Sequence, residues 1–237
     1  MLQQTQVGRV ELKYPAFIKK FPNFAALARA PFSDVLAEWR GMGYNRRALG
    51  LKKIAEKVIG EWGGKLPADP TVLVQLPSIG KATASSIYVF AWDKPAAFIE
   101  TNVRRVFIHH FFDGRESVDD KEIMKIVEQA LPPKHCREWY YALMDYGSML
   151  RATVPNPNKK SRHYRAQGKF EGSNRQVRGK ILTYLTARPH KRATQAAIIT
   201  YITTDATTDP TIVEKNIETL AREGFLAIKG KNVYIAS

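Results

Sequence analysis

Proline and glycine recur at short intervals through the first 150 residues, and this spacing limits the fold more than any other feature. Between these breaks, apolar side chains repeat with helical periodicity, as in Val35, Leu36 and Trp39. The alternation of apolar and polar residues that is typical of strands is scarce. Because proline and glycine commonly mark helix ends, the pattern predicts an all-α domain of about eight or nine short helices over residues 1–152.

The composition then changes twice. Residues 153–172 contain PNPNKK, which is a poor helix former, and we predict a basic linker there. Residues 173–237 are predicted to form three helices and a β-hairpin at Gly230 and Lys231. This order is typical of a small α+β winged-helix domain, whose third helix often enters a DNA groove. The predicted fold class is therefore mostly α, with a protein–protein module of the same shape as the alternative for residues 173–237.

Positive charge is concentrated in one part of the chain. The formal net charge is +15, and residues 151–192 hold twelve Lys or Arg residues against one acid. Such a block indicates a polyanionic partner, most simply nucleic acid, while a solvated linker is the alternative. No long apolar run or signal-peptide pattern occurs, so we expect no membrane association and a cytoplasmic protein, associated with the nucleoid if it is bacterial.

Metal and cofactor signals are weak. The single cysteine, Cys136, excludes any cluster held by several thiolates. His109 and His110 have no second ligand pair at metal-binding spacing. We therefore predict no metal and no cofactor, and we expect a monomer.

The segment LPSIGKATASSIYVF, residues 76–90, contains the first candidate binding site. A turn with Ser78 and Gly80 leads into a helix that begins at Lys81. Free N–H groups at a helix start bind anions, and the lysine adds positive charge. A DNA phosphate is a suitable partner, and a purely structural turn is the alternative.

The segment FIETNVRRVF, residues 98–107, contains the candidate catalytic group. Glu100 is predicted at a helix start, where the helix dipole should favour its ionised form. Cleavage of an N-glycosidic bond builds positive charge on deoxyribose, which a fixed carboxylate can stabilise, or the carboxylate can orient a water. The alternative is that Glu100 only caps its helix.

Five segments have the order and spacing of a known family. MLQQTQV, GMGYNRRA, LPSIGKATA, FIETNVRRVF and ALMDYGSML resemble the adenine DNA glycosylases and their endonuclease III relatives, of the helix-hairpin-helix superfamily. The resemblance implies that Glu100 falls on the catalytic aspartate of the family and that Asn102 matches an asparagine beside it. It also implies that Ser78, where the family usually has glycine, Gly80 and Lys81 belong to a DNA-binding hairpin.

The same resemblance implies DNA contacts nearer the N-terminus. Gln3 and Gln4 resemble the wedge that enters the duplex where the target base is flipped out. Tyr44 resembles an aromatic contact near the lesion, and Arg47 of the same segment is predicted to bind DNA.

Several differences from the family pattern affect the expected chemistry. Ala82 stands where lyase-competent members carry a Schiff-base lysine, which implies a monofunctional enzyme unless Lys81 reaches the sugar. The family's glutamate that protonates adenine stands two residues before the methionine of MLQQTQV. Here that methionine is Met1, so we expect either a start further upstream or a product unable to excise purines. No cysteine follows Cys136 to build the family's iron–sulfur loop, and a winged helix replaces the domain that reads oxidised guanine.

We therefore predict a DNA glycosylase that acts on double-stranded DNA with a damaged or mismatched base. Two alternatives stay open: a catalytically impaired protein that binds or senses damage on this scaffold, and a protein-interaction module of a repair complex.

Overall fold

The computed structural model describes residues 1–166, 168–204 and 208–236. These residues are mostly helical with one small antiparallel sheet, which confirms the predicted fold class. The α-helices are α1 (Val7–Lys20), α2 (Phe24–Arg29), α3 (Phe32–Trp39), α4 (Arg46–Trp62), α5 (Pro70–Leu73), α6 (Lys81–Trp92), α7 (Thr101–Phe111), α8 (Asp120–Ala130), α9 (Cys136–Thr153), α10 (Asn174–Ala187), α11 (Gln195–Thr203) and α12 (Pro210–Arg222). The strands are β1 (Arg192–Thr194), β2 (Leu226–Lys229) and β3 (Asn232–Ile235), and two 3-10 helices span Pro157–Lys160 and Pro189–Lys191. None of the helices in the described ranges has the length and apolar character that a membrane crossing requires.

The chain forms two compact units. The first combines Met1–Leu66 with Gly168–Ser237, and the second is Pro67–Gln167. This division differs from the predicted boundaries after residues 152 and 172, because residues from both ends of the chain share one hydrophobic core. For example, the rings of Phe32 in α3 and Phe225 before β2 lie 5.8 Å apart. Independent folding of residues 173–237 stays a prediction.

Within the first unit, α10 to β3 follow the order of a winged helix. The strands are antiparallel in the order β1-β3-β2. Asp209 caps α12 by accepting a hydrogen bond from the Thr211 N–H at 2.8 Å. Gly230 has a φ of 58°, the sign that a two-residue hairpin loop needs at its first position. Strand β1 was not expected, because three residues give no alternation to detect. Residues 205–207 and 237 of the predicted winged-helix domain lie outside the described residues.

In the second unit, α7 packs closely against α9. A Cβ atom added to Gly147 of α9 would lie only 2.5 Å from the carbonyl oxygen of Asn102. Nearby, the ring of Tyr140 stacks on that of Phe98 at 4.0 Å, and its hydroxyl accepts a hydrogen bond from the Phe98 N–H at 2.9 Å. These contacts fix the beginning of α7 against α9.

Part of the predicted linker is a packed segment of the second unit. Asn158, in the 3-10 helix Pro157–Lys160, is 5% exposed and donates a hydrogen bond to the Thr101 carbonyl at 3.0 Å. An amide side chain thus attaches this part of the predicted basic linker to the start of α7, and the linker bounds of 153–172 stay a prediction. Residue 167 of the predicted linker lies outside the described residues.

Candidate active site and nucleic-acid interface

The predicted hairpin is an exposed turn at the start of α6. The Ile79 N–H donates to the Leu76 carbonyl at 3.1 Å, and Ser78 adopts a left-handed φ of 63°. Gly80 is the N-cap of α6. Because glycine has no side chain, it accepts no side-chain hydrogen bond from the N–H groups of the first turn. The structure thus brings Ser78, Gly80 and Lys81 together on one exposed surface.

The protein itself does not require a glycine at position 80. Its φ of −91° is open to any residue, and an added Cβ would meet no atom within 4 Å. Absence of a side chain here keeps the approach to the main-chain N–H groups open, which suits close contact with a phosphate backbone.

Glu100 is the N-cap of α7, and its side chain is only partly exposed. Its Oε1 atom accepts hydrogen bonds from the N–H groups of Asn102, at 2.5 Å, and Val103, at 2.8 Å. Burial raises the pKa of the Glu100 carboxyl above its ordinary value, and these two bonds and the nearby Arg105 oppose that rise. The helix start therefore favours the ionised form, as expected, but burial outweighs it and the pKa is raised overall.

Asn102 is held by a buried arginine that the sequence did not single out as a site residue. Arg105 is 4% exposed, and its Nη1 donates to Asn102 Oδ1 at 2.6 Å and also to the Gly147 carbonyl. The available signal was the spacing of three residues between Asn102 and Arg105, which places both on one helix face.

Arg104, beside it, forms a bidentate ion pair with Asp120, with distances of 2.8 and 2.7 Å. Both arginines of the FIETNVRRVF segment therefore have intramolecular partners.

In the first unit, the glutamine segment forms a turn beside the loop that precedes α4. Gln3 and Gln4 are exposed, and Gln4 has a left-handed φ of 57°. The Thr5 hydroxyl donates to the Met42 carbonyl at 3.0 Å. Tyr44, which ends the loop, is 41% exposed. Side chains of both glutamines and Tyr44 are thus accessible, as a DNA contact requires.

Arg47 has a different role from the predicted one. Its Nη1 donates to the carbonyls of Met1, at 2.8 Å, and Gln3, and its Nη2 donates to the Thr5 hydroxyl at 2.7 Å. The Nη2 atom also reaches the carbonyls of Met42 and Gly43, each at 3.1 Å. Burial lowers the pKa of this guanidinium. Since its terminal donors are engaged by the protein, Arg47 joins the glutamine turn to the following loop and is not a free DNA contact.

Comparison with known proteins places these features in a family. The model of the HhH-GPD superfamily of base excision DNA repair proteins matches residues 1–133. The adenine DNA glycosylase of Mycolicibacterium smegmatis is 33% identical over 205 residues, which are 78% of this chain and 69% of that protein. The thymine/uracil-DNA glycosylase of Methanothermobacter thermautotrophicus is 29% identical over 155 residues, 64% of this chain and 70% of that protein.

Other relatives match a smaller share of their own length. The chain spans 43% of the adenine DNA glycosylase of Buchnera aphidicola subsp. Baizongia pistaciae, to which it is 33% identical over 151 residues, 63% of this chain. Among solved structures, a thermostable thymine-DNA glycosylase aligns with a TM-score of 0.59 and 28% identity, covering 67% of this chain and 75% of that one. A non-covalent endonuclease III–DNA complex, at 21% identity and a TM-score of 0.56, shares the fold over 65% of this chain and 72% of that one. The family match extends over more than half of the sequence, and this protein belongs to the HhH-GPD superfamily of base excision DNA repair proteins.

Proposed function

We propose that this protein is a monofunctional DNA glycosylase that hydrolyses the N-glycosidic bond of a damaged or mismatched base in double-stranded DNA. The names of its relatives and its family support glycosylase activity. The observation that carries the proposal is Glu100, a partly buried carboxylate fixed by two main-chain N–H groups at the tip of α7. In the same unit, the exposed turn with Ser78, Gly80 and Lys81 offers a contact for the DNA backbone.

In the proposed reaction, the bond between C1′ and the base nitrogen breaks and the base leaves with the bonding electrons. Positive charge then builds on the sugar, and the Glu100 carboxylate stabilises it through space. A water molecule adds its oxygen to C1′, and one of its protons is taken up by the carboxylate and passed on to solvent or to the departing base. Fixing Oε1 by two N–H groups keeps the anion in place without reorganisation during the reaction.

The test is Glu100→Gln, which preserves the shape of the side chain and removes its charge. Duplexes with adenine, thymine or uracil in mismatches are suitable substrates, since relatives are named for these bases. We expect base release under single-turnover conditions to fall by at least about a hundredfold while DNA affinity changes little. Exposed Glu116, changed to Gln, is the matched control. Unchanged base release by Glu100→Gln would falsify the role of this carboxylate.

A second function, damage binding without catalysis, is favoured by one observation. Both hydrogen bonds to Glu100 are those of an ordinary helix cap, so the residue also has a structural use. Glu100→Asp distinguishes the two, because aspartate is what the resembled family carries at this position. If the protein is a glycosylase, Glu100→Asp should keep or increase base release. If it only binds damage, the wild type and both Glu100 variants should release no base.

We further propose that the protein acts as a monomer in the cytoplasm, associated with the nucleoid if its source is bacterial. Light scattering with and without a short duplex tests the first part. A mass of two chains in the free protein would contradict it.

A further inference from the structure

Charge is distributed unequally over the winged-helix region. All five acidic residues of the sequence after residue 172 lie between positions 205 and 223. Residues 188–204 and 224–236 contain no acid, yet they contain five Lys or Arg residues. The flanks of the region, which form β1, β2 and β3, are therefore basic, while the part around α12 is not.

Two of these basic residues, Arg192 and Lys229, lie on the same face of the sheet. Arg192 of β1 lies opposite Tyr234 of β3, and Asn232 of β3 lies between Thr194 of β1 and Lys229 of β2. Directly opposite residues in an antiparallel sheet share a face, and this face is the outward one because the alternate residues of β3 are buried. We call this surface the wing face and define it as Arg192, Thr194, Lys229, Asn232 and Tyr234 of the sheet together with the exposed Lys231 of the hairpin loop.

The charged side chains of the wing face are available to a partner. Arg192, Lys229 and Lys231 are exposed, and within the described ranges no side-chain hydrogen bond or ion pair is formed by them. By contrast, Lys191 beside them donates to the Thr186 carbonyl at 2.7 Å, and Arg188 donates to the Tyr184 hydroxyl at 2.8 Å. The three cations of the sheet and its hairpin therefore differ from these two neighbours in having no partner in the part of the protein that the structure describes.

Helix α12 is a poor surface for a phosphate backbone. Its exposed residues include Glu214 and Glu218 as well as Lys215 and Arg222, so the charges on the helix cancel. A recognition helix inserted into a groove would bring both carboxylates towards phosphates. This arrangement argues against the expected insertion of the third helix into DNA.

We propose that the winged-helix region holds duplex DNA by its sugar–phosphate backbone through the wing face, and not through α12. This inference rests on the proposed function, because it takes duplex DNA as the partner. Lysine and arginine neutralise phosphates, and the Thr194 hydroxyl, Asn232 amide and Tyr234 hydroxyl are groups that donate hydrogen bonds to phosphate oxygens. Such contacts position DNA without reading its sequence, so the surface adds affinity for any duplex.

The test compares two double variants of the intact protein that each remove two positive charges from the same region. Lys229→Gln with Lys231→Gln alters the wing face, and Lys215→Gln with Arg222→Gln alters α12. The dissociation constant for an undamaged duplex is measured by fluorescence anisotropy between about 50 and 200 mM salt. Each lost phosphate contact should reduce the slope of log affinity against log salt by about 0.9, so the wing variant should lose about 2. The ratio of its dissociation constant to that of the wild type should therefore fall about tenfold as salt rises from about 50 to 200 mM.

The α12 variant should keep the wild-type slope. Equal slopes for the two variants, or a loss confined to the α12 variant, would overturn the proposal. Base release by the wild type, measured in a separate experiment, tests the proposed function, whereas the salt slopes test only this inference. If the wild type bound duplex DNA through the wing face but released no base from any duplex, only the glycosylase proposal would be contradicted.

Discussion

Glu100 is held through one of its two carboxylate oxygens, and this has consequences for its chemistry. Oε1 accepts both main-chain hydrogen bonds, and no hydrogen bond to Oε2 is found among the described residues. The same residue therefore caps α7 and keeps one oxygen for a sugar or a water. From the sequence, helix capping and catalysis are alternative roles for Glu100. The structure combines a helix cap with a carboxylate whose pKa is raised by burial.

The raised pKa predicts how base release depends on pH. Catalysis requires the ionised carboxylate, so we expect the single-turnover rate to fall at acid pH with a midpoint above 4.5, the ordinary pKa of glutamate. Stability should respond in the same window. A carboxyl whose pKa is higher in the folded state favours folding when protonated, and this contribution is lost as pH rises from 4.5 through the folded value.

Denaturant unfolding of wild type and Glu100→Gln at several pH values measures this effect. Relative to the variant, the wild type should lose stability as pH rises through that window, and Glu116→Gln should show no such trend. A constant difference between wild type and Glu100→Gln would show that the carboxyl titrates as in the unfolded chain.

Ser78 stores strain in the hairpin. A left-handed backbone costs a residue with a Cβ atom about 1–2 kcal/mol, and Ser78 has a φ of 63°. Ser78→Gly should remove that cost, but the greater backbone freedom of glycine also stabilises the unfolded chain. We therefore expect a net gain of about 0.5–1 kcal/mol in the free energy of unfolding. Ser78→Ala, which keeps the Cβ, should give no gain. If alanine stabilised the protein as much as glycine, backbone strain would not be the cause.

At the scale of elements, the start of α7 is supported from two directions. Gly147 lets α9 approach the main chain of Asn102, and Asn158 of the 3-10 helix binds the Thr101 carbonyl. Since Glu100 is the residue before α7, these contacts determine where its carboxylate is held. The support comes from residues that are distant in sequence, which is why no local pattern reveals it.

Gly147→Ala tests this close approach. The added Cβ would lie 2.5 Å from the Asn102 carbonyl oxygen, so α7 and α9 must separate, and we expect a loss of about 1–3 kcal/mol in unfolding free energy. Gly60→Ala in α4 is the control, because its Cβ would meet nothing within 4 Å and alanine is the better helix former, worth about 0.5–1 kcal/mol. A Gly147→Ala variant as stable as Gly60→Ala would mean that the helices relax freely.

Sequence patterns predict the helices and strands of this protein better than they predict the contacts between distant segments. The hairpin at Gly230 and Lys231 and the helix start at Lys81 are local signals, and the structure has both. The role of Arg47 and the bond from Arg105 to Gly147 depend on carbonyl groups from other segments, which no spacing within their own helices specifies. For the same reason the sequence predicts a boundary near residue 153, where the composition changes, and does not predict the core shared by the two ends of the chain.

For the whole molecule, that shared core predicts the behaviour of a nicked chain. Val177 and Ile181 of α10 belong to the same hydrophobic cluster as Val35 of α3. Cleavage at exposed Lys169 should therefore leave the fragments associated through buried apolar contacts. Limited trypsin digestion followed by size-exclusion chromatography in native buffer checks this, with the same sample in denaturant as the control. Elution of the fragment that begins at Phe170 as a separate folded species would instead support the independent domain that the sequence predicts.

The interleaved order of the two units also affects how the protein is made. Residues 67–167 are contiguous, so they can fold as soon as they leave the ribosome. Residues 1–66 emerge first but must wait for α10 to β3, which follow after a delay on the order of ten seconds at usual translation rates. During that interval Phe32, Val35 and Trp39 lack part of their final packing, and nascent chains are expected to depend on chaperones most at this stage.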